Sequence, residues 1–317
     1  MNRLVLIDGN AILHRAFHAL PPLTSPDGKP VNAIYGFTTM LLRLIHDLNP
    51  THVAVAFDRP APTFRKELYK DYQAKRPKMD DELVLQVDGV HDILRAFQIP
   101  IFEMDGYEAD DILGTIAEKV IRNTKKHVTR KSQNMSHVAC RMSPDVINQV
   151  IIVTGDKDLL QLVQDEKVLV YMPVKGLSEG ALYGEKETEE RLGVKPPKIP
   201  DLKALAGDAS DNYPGIAGIG PKTAVEILKK SGSIEELYEH IGKKSFGLSE
   251  NVVDKIKQGK KDALLSHQLA TIKCDVPIET DINGFHEEQL RSDRAITSLE
   301  SFGFQSLIKR IQKKEIR

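Results

Sequence analysis

The sequence predicts an α/β fold, a mostly parallel sheet with helices on both faces, followed by an all-helical second part. Three observations predict it. Leu4–Ile7, Val53–Phe57 and Val150–Val153 are short continuous apolar runs, the pattern of strands buried on both faces. Stretches with apolar residues three and four apart separate these runs, so strands and helices alternate over roughly 170 residues. From about residue 200 only the helical spacing continues, which divides the chain into 1–200 and 201–317.

In order, the first strand runs into Asp8-Gly-Asn10, and Ala11–Leu20 reads as a helix. Residues 21–32 are rich in Pro and Gly and form a loop. A helix over Tyr35–Leu48 leads to the second strand, which ends at Asp58. The segment 59–78 follows, then a helix over about Asp81–Phe97 and a third strand near Ile99–Glu103. The stretch Tyr107–Gly114 opens a helix that Ile112, Leu113, Ile116, Ala117 and Val120 carry inward. Residues 122–149 read as a solvated loop bearing a basic cluster, Arg122, Lys125, Lys126, Arg130 and Lys131. The strand Val150–Val153, a helix and the strand Val168–Tyr171 complete the first part. The second part starts with a helix over Asp201–Ala206 and passes through Gly207–Gly215 to a helix opening at Pro221. It ends with a helix over about Phe304–Lys313.

Composition narrows the function. The 317 residues include 44 basic and 45 acidic ones, so the chain is not basic overall. Charge is segregated instead. Seven bases lie between Arg59 and Lys78 against Glu67 and Asp71, a patch able to bind a polyanion. Phe64, Tyr69 and Tyr72 are interleaved with it as stacking surfaces for bases. Cys140 and Cys274 are far apart and match neither a disulfide framework nor a zinc spacing. No apolar run approaches the roughly 18 residues of a membrane span, and no signal peptide opens the chain, which points to a cytoplasmic setting. Nucleophile-elbow, Walker A and dinucleotide motifs are absent.

The acids carry the chemistry. One acid after one strand is a turn residue or a helix cap, and Glu108, Asp110 and Asp111 at a helix start complement its dipole. Three strands that each deliver acids to one sheet edge are harder to dismiss, because sites in such sheets form at the carboxyl ends of the strands. The candidate cluster is Asp8, Asp58, Glu108, Asp110, Asp111, Asp156, Asp158, Asp208 and Asp211. So many carboxylates repel unless hard cations such as Mg²⁺ or Mn²⁺ sit among them. Two such ions activate water and stabilise charge on the attacking and leaving oxygens of a phosphodiester. Residues two apart on a helix point about 200° from each other, so Glu108 belongs before the helix start and Asp110 in its first turn. Asp156 and Asp158 are expected in extended chain, where residues two apart face one way. Gly215, Gly218 and Gly220 permit tight turns, and the helix at Pro221, with Lys222 and Thr223, offers free N–H groups to backbone phosphates.

Asp8-Gly-Asn10, Phe57-Asp58, Thr63-Phe-Arg65, Tyr72–Arg76, Glu108–Asp111, Thr154–Asp158, Gly207–Asn212 and Gly218–Thr223 together resemble the bacterial 5′-nucleases. That family comprises the N-terminal 5′–3′ exonuclease domain of DNA polymerase I and is related to flap endonucleases. The resemblance implies a PIN-like or resolvase-like core with a helix–hairpin–helix. It implies a two-metal nuclease that cuts 5′ flaps and removes 5′ nucleotides, RNA primers included, near duplex junctions. Asp8, Asp58, Glu108 and Asp110 match the first metal group. Asp156, Asp158 and Asp211 match the second, with Asp110 shared and with Asp111 and Asp208 as outer acids. The glycine hairpin matches the element that holds duplex phosphates, with a K⁺ ion on its carbonyls. A basic helical arch over about 59–97 matches the one that 5′ strands thread, with Arg65, Tyr72, Lys75 and Arg76 as its contacts. Where the family has Lys after the arch Tyr, this chain has Gln73, so the scissile-phosphate contact passes to Lys75 or Arg76. The implied protein is a monomer, a stand-alone nuclease or a fragment of a polymerase I. The alternatives are a non-catalytic nucleic-acid-binding module that keeps the fold, and a ribonuclease of the compact acid-cluster type, which lacks the glycine hairpin.

Overall fold

The computed structural model describes residues 2–132, 146–175, 179–242 and 246–313. Six strands, β1 (Arg3–Asp8), β2 (His52–Ala56), β3 (Ile101–Phe102), β4 (Gln149–Val153), β5 (Val168–Lys175) and β6 (Glu179–Tyr183), form one sheet. Its order is β3-β2-β1-β4-β5-β6. All neighbours are parallel except β5 and β6, an antiparallel edge hairpin absent from the sequence reading. The chain winds one way from β1 to β2 and β3 and the other way to β4 and β5. The switch point therefore lies between β1 and β4, and a crevice opens at their carboxyl ends.

Alternation along the strands divides the core into two layers. Val5, Ile7, Val53, Val55, Ile151 and Val153 face α1 (Gly9–Ala19), α2 (Asn32–Leu48) and, beyond the short α3 (Phe64–Leu68), α4 (Asp81–Ala96). Leu4, Leu6, Ala54, Ala56, Val150 and Ile152 face α5 (Ala109–Ser132). On that side the core continues past α6 (Glu185–Leu192) into the helical part. That part holds α7 (Ile199–Ala206), α8 (Pro221–Ser231), α9 (Ile234–His240), α10 (Glu250–Gln258) and α11 (Lys260–Ala270).

The last helices, α12 (Asp293–Ser301) and α13 (Gln305–Gln312), leave this group. The Phe285 N–H donates to the Thr51 carbonyl (2.7 Å), and Leu299, Leu307 and Ile311 pack in the layer that holds α2 and α4. Residues after 285 thus pack with the first part, not with the helices that precede them.

Two further expectations change. The helix near 81–97 is not part of a free arch, because Leu83, Val90, Ile93 and Leu94 are fully buried on the α2 side. Only Phe64–Leu68 of the basic stretch is helical, and turns follow it. The expected loop at 122–149 begins as helix, since α5 continues to Ser132; residues 133–145, with Cys140, lie outside the described residues.

Candidate metal centre

Asp8 ends β1 and caps α1, its Oδ1 accepting from the Ala11 N–H at 2.9 Å. Gly9 must follow it, because a Cβ there would stand 2.4 Å from the Phe57 ring. Beyond β4, the buried Thr154 hydroxyl donates to Asp8 Oδ2 (2.7 Å) and accepts from the Asp156 N–H (3.0 Å). This relay ties the two central strand ends together at the switch point. Asp58 is fixed from both sides. Its N–H donates to Asn10 Oδ1 (3.0 Å), and its Oδ1 caps α5 by accepting from the Ala109 N–H (2.7 Å). Glu108 stands just before α5, as the helix geometry requires, and accepts from Thr63 Oγ1 and the Tyr72 hydroxyl, both at 3.2 Å.

These acids, with Asp110, Asp156, Asp158 and Asp211, line one cleft of about 770 Å³. Burial, with Asp58 and Asp156 close by, pushes Asp8 up to about 7. Glu108 also rises to about 7, through burial and neighbouring acids against the pull of Arg65. Burial and Asp156 raise Asp158 to about 6 despite Lys203. Asp110 is held well above the carboxylate range by burial and by Asp156, Asp8, Asp58 and Glu108. Asp58 and Asp211 are raised too, chiefly by desolvation of their carboxylates in the cleft.

Asp158, Asp208 and Asp211 form a second group with carboxylate oxygens within 4.8 Å of one another. Two cations hold it together. Lys203, on α7, contacts Asp158 (2.7 Å) and Asp208, and Arg76 contacts Asp211 (2.6 Å). Burial opposes ionisation of Asp208, but Lys203 and Ser210 outweigh it and bring it down to about 2. The Tyr72 hydroxyl reaches both groups, donating to Glu108 (3.2 Å) and Asp211 (3.4 Å).

Several predicted residues stand elsewhere. Asp111 is fully buried and outside the cleft wall, with its oxygens taken by both terminal nitrogens of Arg65 (2.7 and 2.8 Å) and by the Glu108 and Lys273 N–H groups. It is an ion-pair partner of Arg65 that stands behind Glu108 rather than in the cleft. Arg65, correspondingly, is 2% exposed and borders the cleft with its nitrogens committed to Asp111 and to the Leu269 and Thr271 carbonyls. Tyr72 is buried and stacks on Tyr213, Phe64 lies under Arg65 and Lys273, and Tyr69 packs beside Tyr213 and Leu269. None of the three is a free stacking surface. Asp156 and Asp158 converge through a turn rather than extended chain, since Lys157 is helical and the Asp158 N–H donates to Asp156 Oδ1 (2.8 Å).

Of the two arch bases, Arg76 lines the cleft, whereas Lys75 is exposed outside its wall. Gln73 lines the cleft and donates to the Tyr72 oxygen (3.3 Å).

The hairpin lies outside the cleft wall. Gly215 serves packing, as a Cβ there would meet the Gly207 nitrogen at 2.2 Å. Gly218 has φ +75°, and Gly220 caps α8 beside the exposed Lys222 and the half-buried Thr223.

Thr154, Asn10 and Lys203 are site residues that the sequence reading did not select. Thr154 and Asn10 adjoin acids that it did, whereas Lys203 carries no signal beyond its place five residues before Asp208.

The donor set fits hard divalent cations: carboxylates lining one cleft, held above their ordinary range by burial and by one another, with no cysteine in the wall. A linkage follows. Asp8, Glu108 and Asp158 titrate higher folded than unfolded, so their contribution to metal-free stability is full below about 4 and disappears as pH rises through 6 to 7. Cations should therefore stabilise more at high pH. With Mn²⁺ at about 100 times its dissociation constant, the expected gain is about 2.7 kcal/mol, roughly 4 °C in Tm at pH 8 and little at pH 5.5. Equal shifts at both pH values in thermal melts would show that these carboxylates do not hold the ion.

The sequence model of the 5′–3′ exonuclease N-terminal resolvase-like domain matches residues 3–193, and that of the C-terminal SAM fold matches 194–293. The 5′–3′ exonuclease of Aquifex aeolicus is 36% identical, over 99% of this chain and 96% of its own length. DNA polymerase I of Bacillus subtilis is 36% identical over 98% of this chain, which spans about a third (32%) of that enzyme. Among solved structures, the T5 5′-exonuclease with bound zinc superposes with TM-score 0.65 at 17% identity, covering 99% of this chain and 98% of that one. The catalytic core of Rad2 with a DNA substrate gives 0.59 at 14%, covering 99% and 92%. These last two speak for the fold.

Proposed function

Because this chain belongs to the 5′–3′ exonuclease family, we propose that it is a divalent-metal-dependent 5′–3′ exonuclease and structure-specific 5′ flap endonuclease. Its substrates are DNA, and RNA primers on DNA, with a 5′ end or flap at a duplex junction, and it acts as a monomer. The observation that carries the reading is the convergence of acids from two central strand ends, from Asp58 and from the start of α5 in one cleft at the switch point, with Arg76 beside them.

Asp8, Asp58, Glu108 and Asp110 would hold one Mg²⁺ or Mn²⁺ ion, and Asp156, Asp158 and Asp211 a second, with Asp110 shared and Asp208 beside the second as an outer acid. Such ions supply an activated water and neutralise charge on the attacking and leaving oxygens. The chain's own residues do the positioning. Tyr72 joins Glu108 to Asp211, so the two groups keep their separation as substrate enters. Arg76, one of several cations lining the cleft and the one beside Asp211, would take the scissile phosphate, where a guanidinium grips two oxygens.

The open N-terminus of α8, with Gly218, Gly220, Lys222 and Thr223, would take duplex phosphates without reading bases. A K⁺ ion on the hairpin carbonyls would assist there. The catalytic part is taken as 1–200 with the residues after 285 packed on it, and the helical DNA-holding part as 201–285.

A 5′-labelled flap substrate incubated with Mg²⁺ should be cut near the junction, and chelator should abolish the cut. Retained binding without metal-dependent cleavage would instead favour a non-catalytic binding module.

A further inference from the structure

The segment Leu269–Lys273 joins the two carboxylate groups. It leaves the end of α11, where the last helical carbonyls lack partners within the helix, and it turns extended at Thr271. Successive residues address opposite sides. On one side, the Leu269 and Thr271 carbonyls accept from Arg65 (2.8 and 3.1 Å), and the Lys273 N–H donates to Asp111 (2.8 Å). Asp111 in turn accepts from the Glu108 N–H, so this side seats the start of α5, where Glu108 and Asp110 lie. On the other side stands Gln161. Its Nε2 donates to the Ala270 carbonyl (3.0 Å) and to the Asp158 carbonyl (3.0 Å), and its Oε1 accepts from the Ile272 N–H (3.0 Å). Leu269, Ala270 and Ile272 themselves line the cleft between these two sides.

We propose that Leu269–Lys273 is a crossbar that sets the spacing of the two carboxylate groups, with Gln161 the positioning residue that attaches Asp158 to it. Gln161 itself stands outside the cleft wall. Its amide suits the task because one group donates to two carbonyls and accepts one N–H, which neither a carboxylate nor a hydrocarbon can do. The inference rests on the two-ion reading above. It predicts that loss of Gln161 leaves the first group intact and loosens the second, where a displacement of about 1 Å costs on the order of 10²-fold in rate.

Two variants of the full chain test it. Gln161→Met keeps length and removes all three hydrogen bonds, while Gln161→Glu keeps the acceptor and removes both donors. Mn²⁺ titration followed by electron paramagnetic resonance, without DNA, is expected to show one ion bound as in the wild type and the second at least about tenfold weaker. On a 5′ flap, kcat is expected to fall about 10- to 100-fold with KM within about twofold. Leu307→Ala, in the other core layer on α13, should lower Tm and leave the ratio of the two Mn²⁺ affinities unchanged. Unaltered binding of both ions in a folded Gln161 variant overturns the crossbar; should the Met variant not fold, Gln161→Glu decides alone. The Mn²⁺ titration does not depend on cleavage, so a wild type that fails to cut overturns the nuclease reading without deciding this one.

Discussion

Asp110→Ala is expected to lower flap cleavage by at least about 10²- to 10³-fold, the scale of losing a preorganised electrostatic group, while duplex affinity stays within about threefold. The carboxylate lies in the first turn of α5, where burial and then Asp156, Asp8, Asp58 and Glu108 all raise its proton affinity. A group that four acids disfavour in the absence of metal is the one whose ionised form metal most stabilises. Removing it should also relieve that repulsion, so the metal-free variant should melt higher than the wild type. Such opposition between stability and activity is what a strained site predicts. Single-turnover cleavage with Mg²⁺, anisotropy binding in Ca²⁺ and a melt in chelator measure the three quantities. Near-normal turnover would refute a shared ligand at this position.

Arg65→Ala should damage stability more than any cleft substitution. It leaves Asp111, fully buried, without its bidentate partner, and it also frees the Leu269 and Thr271 carbonyls. Breaking a buried pair from one side costs about 3–5 kcal/mol, which is roughly 4–8 °C in Tm for a chain of 317 residues. The double variant Arg65→Met with Asp111→Leu should recover at least about half, because an apolar pair removes the stranded charge. An unchanged Tm with weakened DNA affinity would restore Arg65 to the role its place in a basic stretch suggested.

That contrast shows what the chain discloses before folding. Asp8, Asp58 and Asp156 were legible because parallel strands must send their carboxyl ends to one edge, so strand-terminal acids meet without long-range information. Asp111 was not, although it adjoins Asp110. One helical residue turns about 100°, enough to carry it from the cleft to a guanidinium 46 positions earlier. The aromatics of the basic stretch were misjudged for a related reason. What covers Tyr69 and Tyr72 is Tyr213 and Leu269, remote in sequence. Lys203 was invisible because one lysine on an amphipathic helix carries no mark of the acids it will face. The turn at Lys157 shows a smaller failure, since two acids two apart meet through a bend as well as along a strand.

The return of α12 and α13 to the first layer has a consequence for how the helices between them come undone. The chain leaves that layer before α7 and rejoins it at Phe285, so the intervening segment is a leash fastened at both ends rather than a tail. A melted leash must still close on itself. For roughly 85 residues, closure removes about 4 kcal/mol from the entropy of the melted form. Partial opening of the helical half is therefore rarer, by about 10³-fold, than it would be for a dangling segment of equal length. A single nick in either crossing would forfeit that protection.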